Sequence, residues 1–213
     1  MMNAIIQKAA GFLFRPAETF RNSKDDTPRE VATYYLTLFA LNLVLISIFS
    51  LLAGGIKPEV FTDPDISVIQ LVITAVLFIG PTQALVAGTI GLLIFGFLFH
   101  ILVWDAGGRN TIFTTFKVVM YSLTPVLLTG WLFELFLDSF VWISYLKGDT
   151  AVIASIIAFV ICFAWIIAIP LWTLEFLYHG IIEVHLLSSE QAHYIKNVTT
   201  IVFFIDFKIM INF

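Results

Sequence analysis

Carboxylate and imidazole side chains gather near the ends of two apolar runs of this chain. They are Glu175, His179, Glu183, His185, His100 and Asp105. The first three follow one another at intervals of four residues, which places them near one face of a helix. Such groups on neighbouring helices can bind a divalent cation or relay protons, and they also occur as solvated side chains among lipid headgroups. Because no HExxH spacing is present, we expect no metal and no cofactor.

Three acidic residues lie within or at the end of apolar runs, where ionisable groups are costly. Glu175 follows Pro170 inside such a run and is the strongest single candidate. Its structural alternative is a hydrogen bond to a tyrosine or threonine of a neighbouring helix. Glu134 and Asp138 are four residues apart near the end of another run. We expect Glu134 to face the bundle and Asp138 to mark the membrane interface.

Prolines interrupt three apolar regions, at Pro81, Pro125 and Pro170. A carbonyl freed by a proline can bind an ion or allow a hinge, and we expect simple kinks. The stretch from Tyr121 to Pro125 also contains a serine and a threonine. These hydroxyl groups can satisfy the freed backbone groups or line a cavity.

The amino-acid composition indicates that much of the protein surface does not face water. Of 213 residues, 60% are hydrophobic and only 12% are charged, against roughly 25% charged in soluble domains. Such a chain cannot cover a water-exposed surface with polar groups, which excludes a typical soluble enzyme, a nucleic-acid binder and a disordered chain. The single cysteine, Cys162, excludes an internal disulfide and a zinc site built from cysteines.

The apolar runs predict an all-α polytopic transmembrane bundle, because a span needs about 20 apolar residues. Residues 66–79 form a helical lead-in that ends at Gly80-Pro81, either interfacial or part of a long broken helix. The last run is the weakest, since it is short and contains Asp206 and Lys208. About five spans are predicted, at residues 31–54, 82–104, 113–138, 150–178 and 198–213.

Residues 1–30 precede the transmembrane domain of residues 31–213 and carry a helical pattern of their own. Charged residues separate apolar ones that recur at helical spacing: Ile5, Ala9, Phe12, Pro16 and Phe20. This pattern predicts an amphipathic helix on the membrane surface. Thr27, Pro28 and Glu30 then form a capping box that marks the start of the first span.

Lysine and arginine lie mostly on the side of the predicted bundle that holds the N-terminus. With five spans, eight fall on that side: Lys8, Arg15, Arg21, Lys24, Arg29, Arg109, Lys117 and Lys196. Three fall on the other side: Lys57, Lys147 and Lys208. This bias predicts a cytoplasmic N-terminus and favours five spans over six.

Four local patterns, in this order and spacing, resemble the Yip domain family of Ypt-interacting proteins and their prokaryotic relatives. They are Phe14-Arg15-Pro16 with Thr19-Phe20; Gly107-Gly108; Thr115-Phe116-Lys117 with Tyr121-Ser122-Leu123-Thr124-Pro125; and Gly180-Ile181 with Glu183, His185, Leu187-Ser188 and Ala192. The resemblance implies a five-span helical bundle with a cytoplasmic N-terminus and no enzymatic activity. It links eukaryotic members to vesicle traffic, membrane shape and Rab-type GTPases. With about 30 residues before the first span, this chain resembles the short prokaryotic branch, so the GTPase link is not carried over.

The leading interpretation is a non-enzymatic membrane protein of a prokaryotic cell membrane, acting on membrane organisation or shape or through protein partners. The alternative is a small proton or cation transporter that uses Glu175, His179, Glu183 and His100. Expected partners are the lipid bilayer and proteins at the cytoplasmic face, and no nucleic acid. Small residues near one face of the second run permit a close contact inside the chain or in a homo-oligomer: Ala84, Gly88 and Gly91.

Overall fold

The computed structural model describes the backbone of residues 2–55, 80–143 and 148–211, and the side chains of these ranges except 50–55, 80–87, 134, 137–142 and 202–211. All regular structure in these ranges is helical. The helices are α1 (Met2–Phe14), α2 (Pro16–Asn22), α3 (Pro28–Gly55), α4 (Gly80–Asp105), α5 (Ile112–Ser122), α6 (Thr124–Ile143), α7 (Asp149–His185) and α8 (Ser189–Ile211). The predicted all-α class is confirmed.

Four stretches of the described chain are long and apolar enough to cross a membrane: Pro28–Phe49, Gly88–Asp105, Ile112–Phe133 and Asp149–His185. They correspond to the first four predicted spans. Helix α7 has 37 residues and reaches about 55 Å at 1.5 Å per residue, which exceeds the ~30 Å hydrocarbon core. It therefore extends beyond the core.

Several predictions concern parts of the chain that lie outside the described residues. The lead-in at 66–79 is one of them, and so are the side chains of Glu134, Asp138, Asp206 and Lys208. The fifth predicted span falls in the second half of α8. This helix is formed, and it is not among the four apolar candidates found in the described residues.

Polar side chains set the starts of two helices, and the sequence predicted the first of them. The carboxylate of Glu30 accepts hydrogen bonds from the backbone N–H and the hydroxyl of Thr27, each at 2.8 Å. This capping box begins α3. At α8, the Ser188 N–H donates to Gln191 Oε1 at 2.9 Å, and the Gln191 N–H donates back to Ser188 Oγ at 3.2 Å. Reciprocal bonds of this kind satisfy amides that a helix start leaves free.

The junction between α5 and α6 shows how the chain accommodates Pro125. Proline has no N–H, so it cannot bond to the carbonyl of Tyr121, four residues earlier. The hydroxyl of Thr124 donates to that carbonyl oxygen at 2.6 Å. Because its only proton is used there, the hydroxyl of Tyr34, 2.9 Å away, donates to Thr124 Oγ1. The prediction that a hydroxyl satisfies the freed backbone group is confirmed.

The other two prolines occupy different positions in their helices. Helix α4 begins at Gly80, so Pro81 lies in its first turn, where a missing amide removes no helical hydrogen bond. Helix α7 continues through Pro170.

The chain divides into two compact units. Unit 1 comprises residues 1–36, 91–125 and 170–213, and unit 2 comprises residues 37–90 and 126–169. The core of unit 1 is aromatic and aliphatic, with Phe12, Phe20, Phe99, Phe176, Tyr121 and Ile181 among its least exposed side chains. In unit 2, Trp131 stacks on Phe49 with ring centroids 4.9 Å apart, and Phe133 stacks on Trp165 at 5.4 Å.

Glycines allow close contacts at particular places within each unit. In unit 1, a Cβ on Gly96 would lie 2.3 Å from the ring of Phe116, so α4 and α5 approach closely there. In unit 2, a Cβ on Gly88 would lie at an ordinary 3.6 Å from the ring of Phe39. A Cβ on Gly91 would meet no described atom within 4 Å, so the close approach in the second span occurs at Gly96 and not at Gly88 or Gly91 of the predicted face.

Candidate functional site

The N-terminal helices pack against the rest of unit 1 through aromatic rings. The ring of Phe12 lies 4.8 Å from that of Phe20, 4.7 Å from that of Tyr121 and 5.9 Å from that of Tyr34, between centroids. Phe12 and Phe20 are fully buried. The predicted amphipathic helix is formed as two helices, α1 and α2. Its apolar stripe is buried against protein at Ile5, Ala9, Phe12 and Phe20, because the rings of Tyr34 and Tyr121 pack against Phe12.

A partly buried polar network connects the same segment to α5. Lys8 Nζ lies 2.6 Å from Asp26 Oδ2, and the hydroxyl of Tyr121 donates to the same carboxylate oxygen. Lys117, with a side chain that is almost fully buried, donates from Nζ to the backbone carbonyl of Lys24 at 2.6 Å. The charges of this network are compensated by hydrogen bonds, as burial requires.

Glu183 anchors α2 to α7. Arg21 donates from Nε to Glu183 Oε2 and from Nη2 to Glu183 Oε1, both at 2.9 Å. This bidentate geometry matches the guanidinium fork to the carboxylate. The hydrogen bond and the charge of Glu183 raise the pKa of Arg21 above its ordinary value, so the guanidinium stays charged.

Glu175 pairs with α8 rather than with a neutral hydroxyl. Lys196 Nζ donates to Glu175 Oε2 at 2.5 Å, and His179 Nε2 lies 3.5 Å from Glu175 Oε1. The ammonium of Lys196 also lies 5.3 Å from the ring centroid of Tyr178. The expected hydrogen bond to a tyrosine or threonine is therefore corrected to an ion pair, because α8 brings a lysine to this position.

Two histidines of the predicted set meet through a threonine hydroxyl. His100 Nδ1 lies 2.8 Å from Thr115 Oγ1, which in turn lies 3.3 Å from His185 Nε2. Thr115 is fully buried and His185 is 5% exposed. Since a hydroxyl has one proton, at least one of the two imidazoles donates to Thr115. His185 Nδ1 has no hydrogen-bond partner among the described residues.

The six candidate residues therefore divide into separate groups. Glu175 contacts both Lys196 and His179, Glu183 binds Arg21, and His100 and His185 both contact Thr115. Asp105 is exposed at the end of α4. Within the described part of the chain, no three His, Cys, Asp or Glu residues could hold a metal ion. The arrangement joins helices to one another.

The positions that carried the family resemblance are packing and turn positions. A Cβ on Gly180 would lie 2.5 Å from Val118 Cγ1 and 3.0 Å from the Phe20 ring. Gly107 has φ of +100°, a backbone conformation that favours glycine, and a Cβ on Gly108 would lie 2.6 Å from Val103 Cγ1. Pro16 stands in the first turn of α2, where proline is well tolerated.

Sequence reasoning missed Lys8, Asp26 and Lys196 as partners in these contacts. A signal existed for the two lysines. Lys8 follows Ile5 by three residues and precedes Phe12 by four, so it lies on the buried face of α1. Lys196 likewise follows the buried Ala192 by four residues. A lysine on an apolar helical face indicates a partner on a neighbouring element.

The fold and these contacts define a polytopic α-helical membrane protein whose charged side chains connect its helices. The family model of the Yip1 domain matches residues 10–205, and the chain belongs to this family. A comparison with curated proteins found no match, and neither did a comparison with solved structures.

Proposed function

We propose that this Yip-type membrane protein is non-enzymatic and acts by organising or shaping the bilayer or by binding protein partners. The supporting observation is that the carboxylates Glu175 and Glu183 of α7 are engaged in contacts with other helices. Glu175 is held by Lys196 at 2.5 Å, and Glu183 is held by both donors of Arg21 at 2.9 Å. Side chains used in this way stabilise a scaffold.

These ties also weigh against a proton or cation path. A path needs groups that exchange a proton or an ion in sequence. Glu175, Glu183 and His100 instead have different partners, on α8, α2 and α5 respectively. Transport would require breaking at least one ion pair in each cycle.

We place the protein in a prokaryotic cell membrane with its N-terminus in the cytoplasm. The support for this orientation is the excess of lysine and arginine on the N-terminal side. The N-terminal helices and the turns after α4 and α7 are then the segments that protein partners in the cytoplasm would meet.

Reconstitution tests the proposal. Wild-type protein and the Glu175→Gln variant are incorporated at increasing density into vesicles of one lipid composition, beside empty vesicles. Vesicle diameter is measured by cryo-electron microscopy, and proton and divalent-cation flux is measured in the same samples. We expect diameters that change with protein density and flux equal to that of empty vesicles. Flux that wild type supports and Glu175→Gln abolishes, with unchanged vesicle diameter, would overturn the proposal.

A further inference from the structure

Three large apolar side chains stand exposed around two neighbouring turns of unit 1. Trp104, at the end of α4, is 59% exposed, and Ile112, at the start of α5, is 41% exposed. Leu186, between α7 and α8, is 70% exposed. Large apolar groups that cluster on a surface indicate a binding partner or a membrane.

Hydrogen bonds hold these two turns together as one surface. The side chain of Asn110 donates from Nδ2 to the carbonyl of Val184 at 2.8 Å. From the other turn, Gln191 donates from Nε2 to the carbonyl of Ala106 at 2.7 Å. The residues between these ties are therefore fixed relative to one another.

Leu186 has an unfavourable backbone conformation that keeps its side chain outside. Its φ is +57°, and it is the one non-glycine residue with positive φ in the described chain. A bulky residue rarely adopts the left-handed region. The next residue, Leu187, is buried, and Ser188 is fixed by the capping box of α8. Between these constraints the chain directs one leucine inward and the other outward.

All three exposed residues lie at the ends of candidate membrane spans. Trp104 is the last residue but one of Gly88–Asp105, Ile112 is the first of Ile112–Phe133, and Leu186 follows the last of Asp149–His185. The spans Gly88–Asp105 and Ile112–Phe133 have 18 and 22 residues, so their ends lie near the boundary between the hydrocarbon core and the headgroups. Helix α7 is longer than the core is thick, and the hydrogen bond from Asn110 to Val184 holds its end beside that boundary. The surface is therefore continuous with the lipid-facing surface of the spans, and the bilayer interface is the partner that lies at its level.

A cation beside Trp104 also favours the bilayer interface as the partner of this surface. The guanidinium carbon of Arg109 lies 5.8 Å from the ring centroid of Trp104. Tryptophan is enriched at the membrane interface, where its ring is apolar and its N–H is polar. A guanidinium at that depth can bind lipid phosphates.

We propose that Trp104, Ile112 and Leu186 form an interfacial anchor that inserts into the boundary between headgroups and acyl chains. Arg109 binds phosphate groups above them. The anchor fixes the depth of unit 1 in one leaflet. It goes beyond the proposed function and depends only on the membrane placement of the spans.

Spin labelling tests the anchor directly. The background variant is Cys162→Ala, which removes the one native thiol. Single cysteines replace Leu186, the exposed Glu190 as an aqueous control, and the exposed mid-helix Phe159 as a deep lipid control. The labelled proteins are placed in lipid nanodiscs. Collision rates with oxygen, which partitions into lipid, and with a water-soluble nickel complex give the depth of each label.

We expect the label at 186 to collide more often with oxygen than with the nickel complex, at a depth between those of the labels at 190 and 159. Equal access to the nickel complex at 186 and 190 would overturn the anchor. Shielding of 186 from both reagents would also overturn it, because a protein partner or a second copy would then cover the turn. The same measurement on Ile112→Cys keeps the test valid if the label disturbs the turn at 186.

Discussion

Unit 1 and unit 2 have different interiors. The largest fully buried side chains found in the described residues are Phe12, Phe20, Val31, Phe99, Val103, Thr115, Val118, Val119, Tyr121, Phe176, Ile181 and Ile195, all of them in unit 1. Unit 2 contains the part of α7 in which Ile153, Ile157 and Phe159 are more than half exposed. The fully buried side chains are therefore concentrated in unit 1, while both units present large apolar side chains outward, such as Leu98 at 55% and Phe159 at 62% exposed.

The polar contacts follow the same division. The ion pairs of the described residues, including Lys8–Asp26, Arg21–Glu183 and Glu175–Lys196, belong to unit 1. In unit 2 the buried Asn42 binds the backbone N–H of Trp131 at 2.9 Å. Charges are costly in hydrocarbon, and a neutral hydrogen bond costs less there. Among the described residues, unit 2 thus uses a neutral hydrogen bond between helices where unit 1 uses ion pairs.

Truncating one phenylalanine in each unit should give the largest difference in the free energy of unfolding between the two units. Phe12→Ala removes a ring packed against three other aromatic rings and should lower the free energy of unfolding by about 3–5 kcal/mol. Phe159→Ala, on the exposed surface of α7, should change it by no more than about 0.5 kcal/mol. Denaturant titration in mixed micelles measures both. Equal losses for the two variants would contradict the assignment of the core to unit 1.

Adding a methyl group to one glycine in each unit should change the free energy of unfolding by smaller amounts. The change in unit 1 should be a loss, and the change in unit 2 should be zero or a gain. Gly180→Ala places a Cβ 2.5 Å from Val118 Cγ1, and overpacking of this kind costs about 1–3 kcal/mol. Gly88→Ala meets only ordinary contacts with Phe39 and should be neutral or stabilise the protein by up to about 1 kcal/mol. Thermal unfolding of both variants in the same lipid–detergent mixture checks the signs. Destabilisation by Gly88→Ala would show that unit 2 is packed more tightly than described.

Removing the side-chain amide of Asn42 tests the hydrogen bond between Asn42 and the backbone of Trp131 in unit 2. Asn42→Leu leaves the N–H of Trp131 without this partner and should cost about 1 kcal/mol, typical of a hydrogen bond between membrane helices. Ser155→Ala is the matched control, because Ser155 donates only to the carbonyl of Ala151 in its own helix. If Ser155→Ala lowered the free energy of unfolding as much as Asn42→Leu, the hydrogen bond of Asn42 between helices would have no special contribution. Unfolding midpoints of the two variants give the comparison.

Neutralising Glu175 should have the smallest effect. Its side chain is 44% exposed, and ion pairs with this much solvent access contribute about 1 kcal/mol or less. Glu175→Gln should therefore unfold within about 1 kcal/mol of wild type. Lys196→Gln should behave alike, and the double variant should lose no more than either single one if the pair acts as a unit. Additive losses would indicate that the two residues stabilise α7 and α8 independently.

Local sequence signals predicted the helices, the capping box at Thr27 and the hydroxyl beside Pro125. They succeed because each depends on residues within one turn of one another. The partners of Glu175 and Glu183 lie 21 and 162 residues away in the chain, so they depend on how helices pack. Asp26 follows another aspartate and a lysine in a stretch that resembles a solvated loop. Only the approach of α1 and α5 turns it into a buried anchor for Lys8 and Tyr121.

Hydrogen exchange of the N-terminal helices tests the central claim most directly, namely that residues 5–22 are part of the core of unit 1. The protein in lipid nanodiscs is exchanged into deuterated buffer, and peptides from α1 and α2 are compared with peptides from α5. We predict that amides of residues 5–22 are protected to a similar degree as those of α5, because Phe12 and Phe20 dock on Tyr121. Exchange of α1 and α2 at the rate of an unstructured peptide, with α5 still protected, would contradict the account.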